Sequence, residues 1–186
     1  EEVVLRLARD IAIEYKIKNL CLAGGVALNC VANGKILKNN IFENIWIQPA
    51  AGDAGGSLGA ALAYWYRELN KTRNNFKDQM RGAYLGPRFN NEEIEEKLKI
   101  LRANYTRKTS SDISTIVAKE LSNNKTVGWF QGRMEFGPRA LGARSILADP
   151  RSDKMQKELN LKVKFRESFR PFAPSILRED VTDWFD

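Results

Sequence analysis

The fold of this chain is decided by residues 19–62, which read "NLCLAGGVALNCVANGKILKNNIFENIWIQPAAGDAGGSLGAAL". Residues 19–25 and 43–49 are predicted to be short buried strands, because each is an apolar run that stops at glycine or proline. Each strand is followed by a segment with helical spacing, residues 26–40 and the glycine-rich turn and helix of residues 50–69. This alternation of strands and helices is typical of an α/β fold.

The rest of the chain predicts a second α/β piece. The polar stretch at residues 70–82, NKTRNNFKDQMRG, is a candidate linker between the two. Further helices are predicted at residues 3–15, 90–101, 110–124 and 153–163, and further strands at residues 104–109, 126–132, 144–149 and 172–177.

The composition limits the chemistry that the chain can perform alone. It has 186 residues, of which 43% are hydrophobic and 28% are charged, so a globular protein is expected. There is no histidine, which excludes a Ser-His-Asp or Cys-His catalytic pair within this chain. Two cysteines without histidine are also too few to supply the four ligands of a typical zinc site. Two cysteines without a CxxC spacing, together with no apolar run long enough for a membrane span, favour a cytoplasmic protein.

The positive charge is concentrated in one region. Residues 131–170 hold six Arg and four Lys against five acids, whereas residues 171–186 hold one Arg against four acids. Such a distribution favours an anionic ligand, either a phosphate-bearing small molecule or a nucleic acid.

Two glycine turns stand where the predicted strands lead into helices. Gly24 and Gly25 could bind phosphate through free backbone N–H groups, or could simply form a tight turn. Asp53 lies inside the second turn, where it could cap the helix or bind a metal ion. Two such turns at consecutive strand ends of one sheet favour a shared nucleotide cleft.

The strongest signal is "GRMEFGPRALGARS" at residues 132–145, because three arginines follow an irregular backbone. Arginine offers a planar fork of donors that suits phosphate or carboxylate. Glu135 is spaced to orient Arg133 or Arg139 by a salt bridge. The alternative is a structural ion-pair network.

A second arginine-rich stretch, "RESFRPFAPS" at residues 166–175, holds Arg166 and Arg170 among phenylalanines. The phenylalanines, Phe165, Phe169 and Phe172, are predicted to pack in the core, with stacking on a base as the alternative.

Four blocks together resemble the C-terminal part of an O-carbamoyltransferase, of the family of nodulation-factor and antibiotic-tailoring enzymes. They are LAGGVALNCVANGKI, QPAAGDAGGSLGAAL, QGRMEFGPRALGARSILADPR and LNLKVKFRESFRPFAPSIL. The resemblance implies a C-terminal piece of an actin-like ATPase domain at residues 1–75, followed by a YrdC-like α/β domain at residues 83–186. It also implies that an N-terminal part of the same protein is missing here.

The activity implied by the resemblance is carbamoyl transfer. Carbamoyl phosphate and ATP would form carbamoyl adenylate, and the carbamoyl group would pass to a hydroxyl of a small-molecule acceptor such as a sugar. A divalent, iron-type metal is implied for the full-length protein only. The isolated chain is expected to be inactive in adenylate formation.

The resemblance also implies which residues form the site. For the transfer step they are Arg133, Arg139, Arg144, Ser145, Arg166 and Arg170; for the nucleotide they are Gly24, Gly25, Val26, Asn29, Gly55, Gly56 and Asn160; and for the metal, Asp53. The alternative is an RNA-binding or tRNA-modification module of YrdC-like fold. It is disfavoured because the positive charge lies in a glycine-turn motif rather than in an open stripe.

Overall fold

The computed structural model describes residues 1–73 and 79–185. The chain forms two compact units, which are not consecutive in sequence. The first comprises Glu1–Asn91 together with Gln131–Arg144, and the second comprises Glu92–Phe130 together with Ser145–Asp186. The arginine-rich segment therefore belongs to the first unit, while the residues on both sides of it belong to the second.

The first unit is built on a parallel pair of strands. Its elements in chain order are α1 (Glu2–Tyr15), β1 (Asn19–Leu22), α2 (Cys30–Lys38), β2 (Asn44–Ile47) and α3 (Asp53–Ala63). β1 and β2 pair from Asn19 opposite Asn44 to Leu22 opposite Ile47. The core consists of Ala8, Ile36 and Phe42, with apolar side chains of α1 and the sheet packed around them.

The helix predicted at residues 26–40 is interrupted at Asn29. Gly25–Leu28 forms a 3-10 turn, and α2 starts only at Cys30. Asn29 has extended backbone angles, and its side chain accepts a hydrogen bond from the Ala32 N–H at 3.2 Å. An asparagine in this conformation caps a new helix instead of continuing the previous turn.

The second unit contains α4 (Asn91–Ile100), α5 (Ser110–Ser122), β3 (Val127–Phe130), β4 (Arg144–Leu147), α6 (Met155–Glu158) and α7 (Val181–Trp184). α5 starts with a capping box, in which Thr109 and Asp112 each accept from the other's backbone N–H. β3 pairs with β4 in a sheet of two strands. α6 continues as a π-helical turn over Leu159–Val163.

Two predicted strands are wrong. Residues 104–109 do not form a strand; Tyr105 and Arg107 instead hydrogen-bond to Glu95 of α4, at 3.1 and 3.4 Å. Residues 172–177 do not form a strand either. Pro174 lies in the middle of that segment, and proline cannot donate a hydrogen bond to a neighbouring strand.

Residues 74–78 of the predicted linker lie outside the described residues. The predicted linker is exposed at its end, at Arg81 and Gly82, and the chain becomes buried at the next residue, Ala83. Arg81, Gly82 and Ala83 all have positive φ angles, between 50° and 75°. Among the helices of residues 1–73 and 79–185, none is long and apolar enough to cross a membrane.

Candidate functional site

The two glycine turns lie side by side at one edge of the β1–β2 sheet. Because the strands are parallel, both turns leave the sheet at the same edge. The Gly24 N–H donates to the Ala51 carbonyl oxygen at 2.6 Å, which joins the first turn directly to the second. Gly24 has φ +96°, a conformation that favours glycine. Gly25 and Val26, both exposed, start the 3-10 turn next to this junction, where N–H groups have no partner within the turn.

The second turn depends on one glycine for its shape. A Cβ at Gly55 would lie 2.1 Å from the carbonyl oxygen of Ala50, so only glycine fits there. A Cβ at Gly56 would meet nothing within 4 Å. Of these two predicted nucleotide-binding residues, Gly55 is therefore required for the shape of the turn. The space around the Cα of Gly56 is open.

Asp53 does not cap α3, so that interpretation is wrong. The cap position is occupied by Gly52, and Asp53 is the first helical residue, with an exposed side chain. Its carboxylate has no hydrogen bond or ion pair with the rest of the described chain. No group of three or more His, Cys, Asp or Glu side chains in the described ranges could hold a metal ion. A single carboxylate does not fit the coordination of an iron-type metal.

The segment Gln131–Arg144, here called the arginine loop, packs directly on the second glycine turn. Gly137, with φ +127°, approaches Ala50 so closely that a Cβ would lie 3.1 Å from the Ala50 Cα. The Phe136 N–H donates to the Ala83 carbonyl at 2.7 Å, and Gly86 and Met134 are joined by a hydrogen bond of 2.9 Å. The loop is thus fixed between the turn and residues 83–87.

Glu135 is the buried centre of the arginine loop, with 4% of its surface exposed. Its Oε1 accepts from the N–H groups of Leu141 and Ala143, at 2.5 and 2.9 Å, and its Oε2 accepts from Nε of Arg144 at 3.3 Å. Burial by itself would raise the pKa of Glu135, but the hydrogen bonds from Ala143, Leu141, its own backbone and Arg144 outweigh burial and lower the pKa. The prediction that Glu135 pairs with Arg133 or Arg139 is wrong, because its partner is Arg144.

The three arginines of the loop have different surroundings. Arg144 is half-buried, and its Nη2 also donates to the Gly137 carbonyl at 2.5 Å. Arg133 donates from Nη1 to the Gly86 carbonyl at 2.6 Å. Arg139 is exposed and makes no hydrogen bond, ion pair or ring contact with the residues that the structure describes. Arg144 is therefore engaged in holding the loop, and Arg139 is presented to solvent.

In the second unit, Asn160 organises the other arginine-rich stretch. It is fully buried, and its Nδ2 donates to the carbonyls of Ser168 and Arg170, at 3.1 and 2.9 Å. Its Oδ1 accepts from Nε of Arg166 at 2.6 Å. These contacts use both amide protons of Asn160, so its side chain shapes the loop.

Arg166 and Arg170 are both partnered within this loop. The Arg166 guanidinium lies 4.9 Å from the centre of the Phe172 ring. Nε of Arg170 donates to Glu167 at 2.8 Å. The remaining donors of both side chains can serve an anion.

The prediction that all three phenylalanines pack in the core is wrong. Phe165 is 83% exposed and Phe169 is 76% exposed, while Phe172 is 37% exposed and lies under Arg166. Phe165 has φ +49°, which is uncommon for a bulky residue. Its backbone is held there because the neighbouring Arg166 N–H donates to the Asn160 carbonyl at 2.9 Å.

The predicted site residues fall into two groups. The glycine turns, Asn29, Asp53 and the arginines at 133, 139 and 144 lie in the first unit; Ser145, Asn160, Arg166 and Arg170 lie in the second. Ser145 is half-buried and follows Arg144 in β4. Sequence reasoning missed Tyr84, whose hydroxyl donates to the Leu141 carbonyl at 2.6 Å, and Gly86, which receives Arg133. The Gly86-Pro87 pair was the local signal of a shaped turn there.

Two family models match the chain. Residues 1–62 match "Carbamoyltransferase N-terminus", and residues 118–186 match "Carbamoyltransferase C-terminus".

The chain is 59% identical to an uncharacterized protein of Synechocystis, with all of this chain and 31% of that protein covered. It is 44% identical to the nodulation protein NolO of Bradyrhizobium diazoefficiens, with all of this chain and 34% of that protein covered. It is 42% identical to the nodulation protein NolNO of Sinorhizobium fredii, of which it covers 27%. The chain thus spans about a third of the length of the curated relatives it matches.

Proposed function

Because this chain belongs to the carbamoyltransferase family, we propose that it forms part of an enzyme that transfers a carbamoyl group from carbamoyl phosphate to a hydroxyl group. ATP would be the second substrate, and carbamoyl adenylate the activated intermediate. The acceptor would be a sugar or a related small molecule. The proposal includes an actin-like ATPase piece at residues 1–75 and a YrdC-like domain at residues 83–186.

One observation carries the proposal. The arginine loop packs on the same turn that is hydrogen-bonded to Gly24, so the backbone that carries Arg139 is connected to both glycine turns. An exposed guanidinium without a partner among the described residues, on a loop that packs on backbone suited to phosphate, is an arrangement that fits an acyl phosphate or an adenylate.

The chemistry of transfer explains why arginines are used. The oxygen of the acceptor hydroxyl attacks the carbamoyl carbon, the bond from that carbon to the phosphate oxygen breaks, the electron pair leaves with AMP, and the hydroxyl proton passes to the departing phosphate or to water. Negative charge grows on the carbonyl oxygen and on the departing phosphate, where fixed donors lower the barrier. Arg139 would supply such donors, together with Arg133 of the same loop; Arg144 would keep the loop in place. In the second unit, Arg166, Arg170 and Ser145 would contribute to the transfer step.

The nucleotide would be held by Gly24, Gly25, Val26 and the open space at Gly56. Asn29 and Gly55 would act indirectly, since they fix the helix start and the turn. Asp53 could contribute one oxygen to a metal ion only together with ligands from the remainder of a longer protein.

Family membership does not favour the RNA-binding alternative, although the concentrated positive charge is compatible with it. A salt series in a mobility-shift assay distinguishes the two functions, because binding through phosphate contacts weakens steeply with salt. No RNA binding at physiological salt is expected.

The direct test is a reaction of the full-length protein with ATP, carbamoyl phosphate and a panel of hydroxylated acceptors, analysed by mass spectrometry. The expected product carries one carbamoyl group, and its formation depends on both substrates. The 186-residue chain alone should form no carbamoyl adenylate, because positioning of both substrates needs a complete cleft. Absence of any carbamoylated product from the full-length protein would refute the proposal.

A further inference from the structure

The arginine loop is closed at its base by a single buried carboxylate. Oε1 of Glu135 binds the N–H groups of Leu141 and Ala143, on the far side of the loop. Oε2 binds Arg144, which in turn donates to the Gly137 carbonyl on the near side. One side chain therefore links both ends of the stretch that carries Arg139.

We propose that Glu135 is a positioning residue for carbamoyl transfer, which closes the arginine loop and so holds Arg139 at the loop's exposed tip. This inference rests on the proposed function, in which Arg139 contacts the substrate. Glu135 is itself buried beneath the loop, so it acts through Arg139 rather than on the reacting atoms.

Further contacts fix the backbone on both sides of the loop's tip. The Gln131 N–H donates to the Ala143 carbonyl at 2.8 Å, and the Tyr84 hydroxyl donates to the Leu141 carbonyl. Residues 138–140, which are exposed, lie between these fixed points. Pro138 restricts the backbone immediately before Arg139. The backbone position of Arg139 thus depends on the closure that Glu135 provides together with these contacts.

A carboxylate is required at this position because all the groups around it are donors. In Glu135→Gln, the amide oxygen can still accept from Leu141 and Ala143. The amide nitrogen would then face Nε of Arg144, and two donors cannot pair. The variant should therefore fold with the backbone contacts intact but with Arg144 released. Glu135→Ala would leave buried N–H groups unsatisfied and is less informative.

The test measures kcat/KM for carbamoyl phosphate in the full-length protein, in wild type, Glu135→Gln, Arg139→Ala and the double variant. Each single variant should lose about 10- to 100-fold, as expected for one charge-assisted contact. The double variant should lose no more than Arg139→Ala, because Glu135 acts through Arg139.

Asp149→Asn is the matched control: Asp149 is also a buried carboxylate that binds a backbone N–H and a guanidinium, both of Arg151. It has no hydrogen bond to the arginine loop, so kcat/KM should stay at the wild-type value.

Three results would overturn the proposal. Glu135→Gln could keep wild-type kcat/KM; the losses of the single variants could multiply in the double variant; or Asp149→Asn could lose as much as Glu135→Gln, which would show a general effect of destabilisation.

A second measurement does not depend on activity. Hydrogen exchange of residues 136–143 should be faster in Glu135→Gln than in wild type or Asp149→Asn, because release of Arg144 loosens the loop. Unchanged exchange would overturn the proposal even if no carbamoylation is found. Faster exchange in a protein without carbamoyl-phosphate turnover would refute the proposed function and leave the closure of the loop by Glu135 established.

Discussion

Replacing Gly55 by alanine should destabilise the protein, although alanine is the better helix former. Gly55 lies in the first turns of α3, where the exchange of glycine for alanine normally stabilises by about 0.5–1 kcal/mol. Here the new Cβ would lie 2.1 Å from the carbonyl oxygen of Ala50. Ala50 is fully buried and in contact with Gly137, so its backbone can move only if the arginine loop moves as well.

The adjacent Gly56 provides the matched control. It lies in the same helix, but a Cβ there would meet nothing within 4 Å. Both substitutions gain the same helix propensity. The difference in stability between the two variants therefore measures the steric conflict between the new Cβ at residue 55 and the carbonyl oxygen of Ala50. Overpacking of this kind typically costs about 1–3 kcal/mol. Gly56→Ala should therefore be stabilised by up to about 1 kcal/mol, and Gly55→Ala should be about 1–3 kcal/mol less stable than Gly56→Ala.

Thermal unfolding, followed by tryptophan fluorescence, measures this difference. For a chain of 186 residues, 1 kcal/mol corresponds to about 2–4 °C, so the two melting temperatures should differ by about 2–12 °C. Equal melting temperatures, or a Gly55→Ala variant above wild type, would refute the close approach of Ala50 to α3 on which the whole site depends.

Four further outcomes are expected. In the full-length protein, Arg139→Lys should bind a non-hydrolysable carbamoyl-adenylate analogue about 10- to 100-fold more weakly in calorimetry, nearly as weakly as Arg139→Ala, because lysine lacks the planar fork; wild-type affinity would exclude a bidentate contact. Asp149→Asn should lower the melting temperature at neutral pH, because hydrogen bonds from Arg151 lower the pKa of Asp149 from 3.8 to about 2. This advantage of wild type is complete above the ordinary pKa and is lost as the pH falls through about 2, so a difference that persists below that pH would contradict it. Asn160→Ala should cost about 1–3 kcal/mol in urea unfolding, since it removes the three hydrogen bonds of a fully buried amide, and unchanged stability would argue against its role as the centre of the loop. Asp53→Asn should leave the melting temperature nearly unchanged, because its exposed side chain makes no hydrogen bond or ion pair in the described part of the chain; a large decrease would show a structural role for the carboxylate.

Local sequence patterns were sufficient for the first unit up to α3. Apolar runs ending in glycine or proline identified β1 and β2, and their turns meet as expected from two strands that end at one edge. The interruption at Asn29 was also visible in principle, because asparagine is a preferred cap.

The arrangement of the arginine loop could not be obtained from the sequence, because its partners are distant. Arg133 contacts Gly86, 47 residues away, and Tyr84 contacts Leu141, 57 residues away. The spacing around Glu135 fits more than one arginine, and only the fold of the loop selects Arg144. The exposed phenylalanines have a similar explanation. Hydrophobicity predicts that a phenylalanine is buried. The backbone around Phe165 and Phe169 is instead fixed by Asn160, whose hydrogen bonds reach residues 166–170, and both rings are exposed on it.

The discontinuous first unit has a consequence for the protein during synthesis. Tyr84 and Leu141 belong to the same unit but are 57 residues apart. At a rate of about 5–20 residues per second, the ribosome adds Leu141 roughly 3 to 11 seconds after Tyr84. During that interval the turn at Ala50 is already synthesised, but Gly137, which packs on it, is not. The residues made in between, 92–130, belong to the second unit. Expression at lowered temperature or with chaperones should therefore improve the yield of soluble protein. Insertions should be placed outside residues 84–141, because an insertion within them would lengthen this interval.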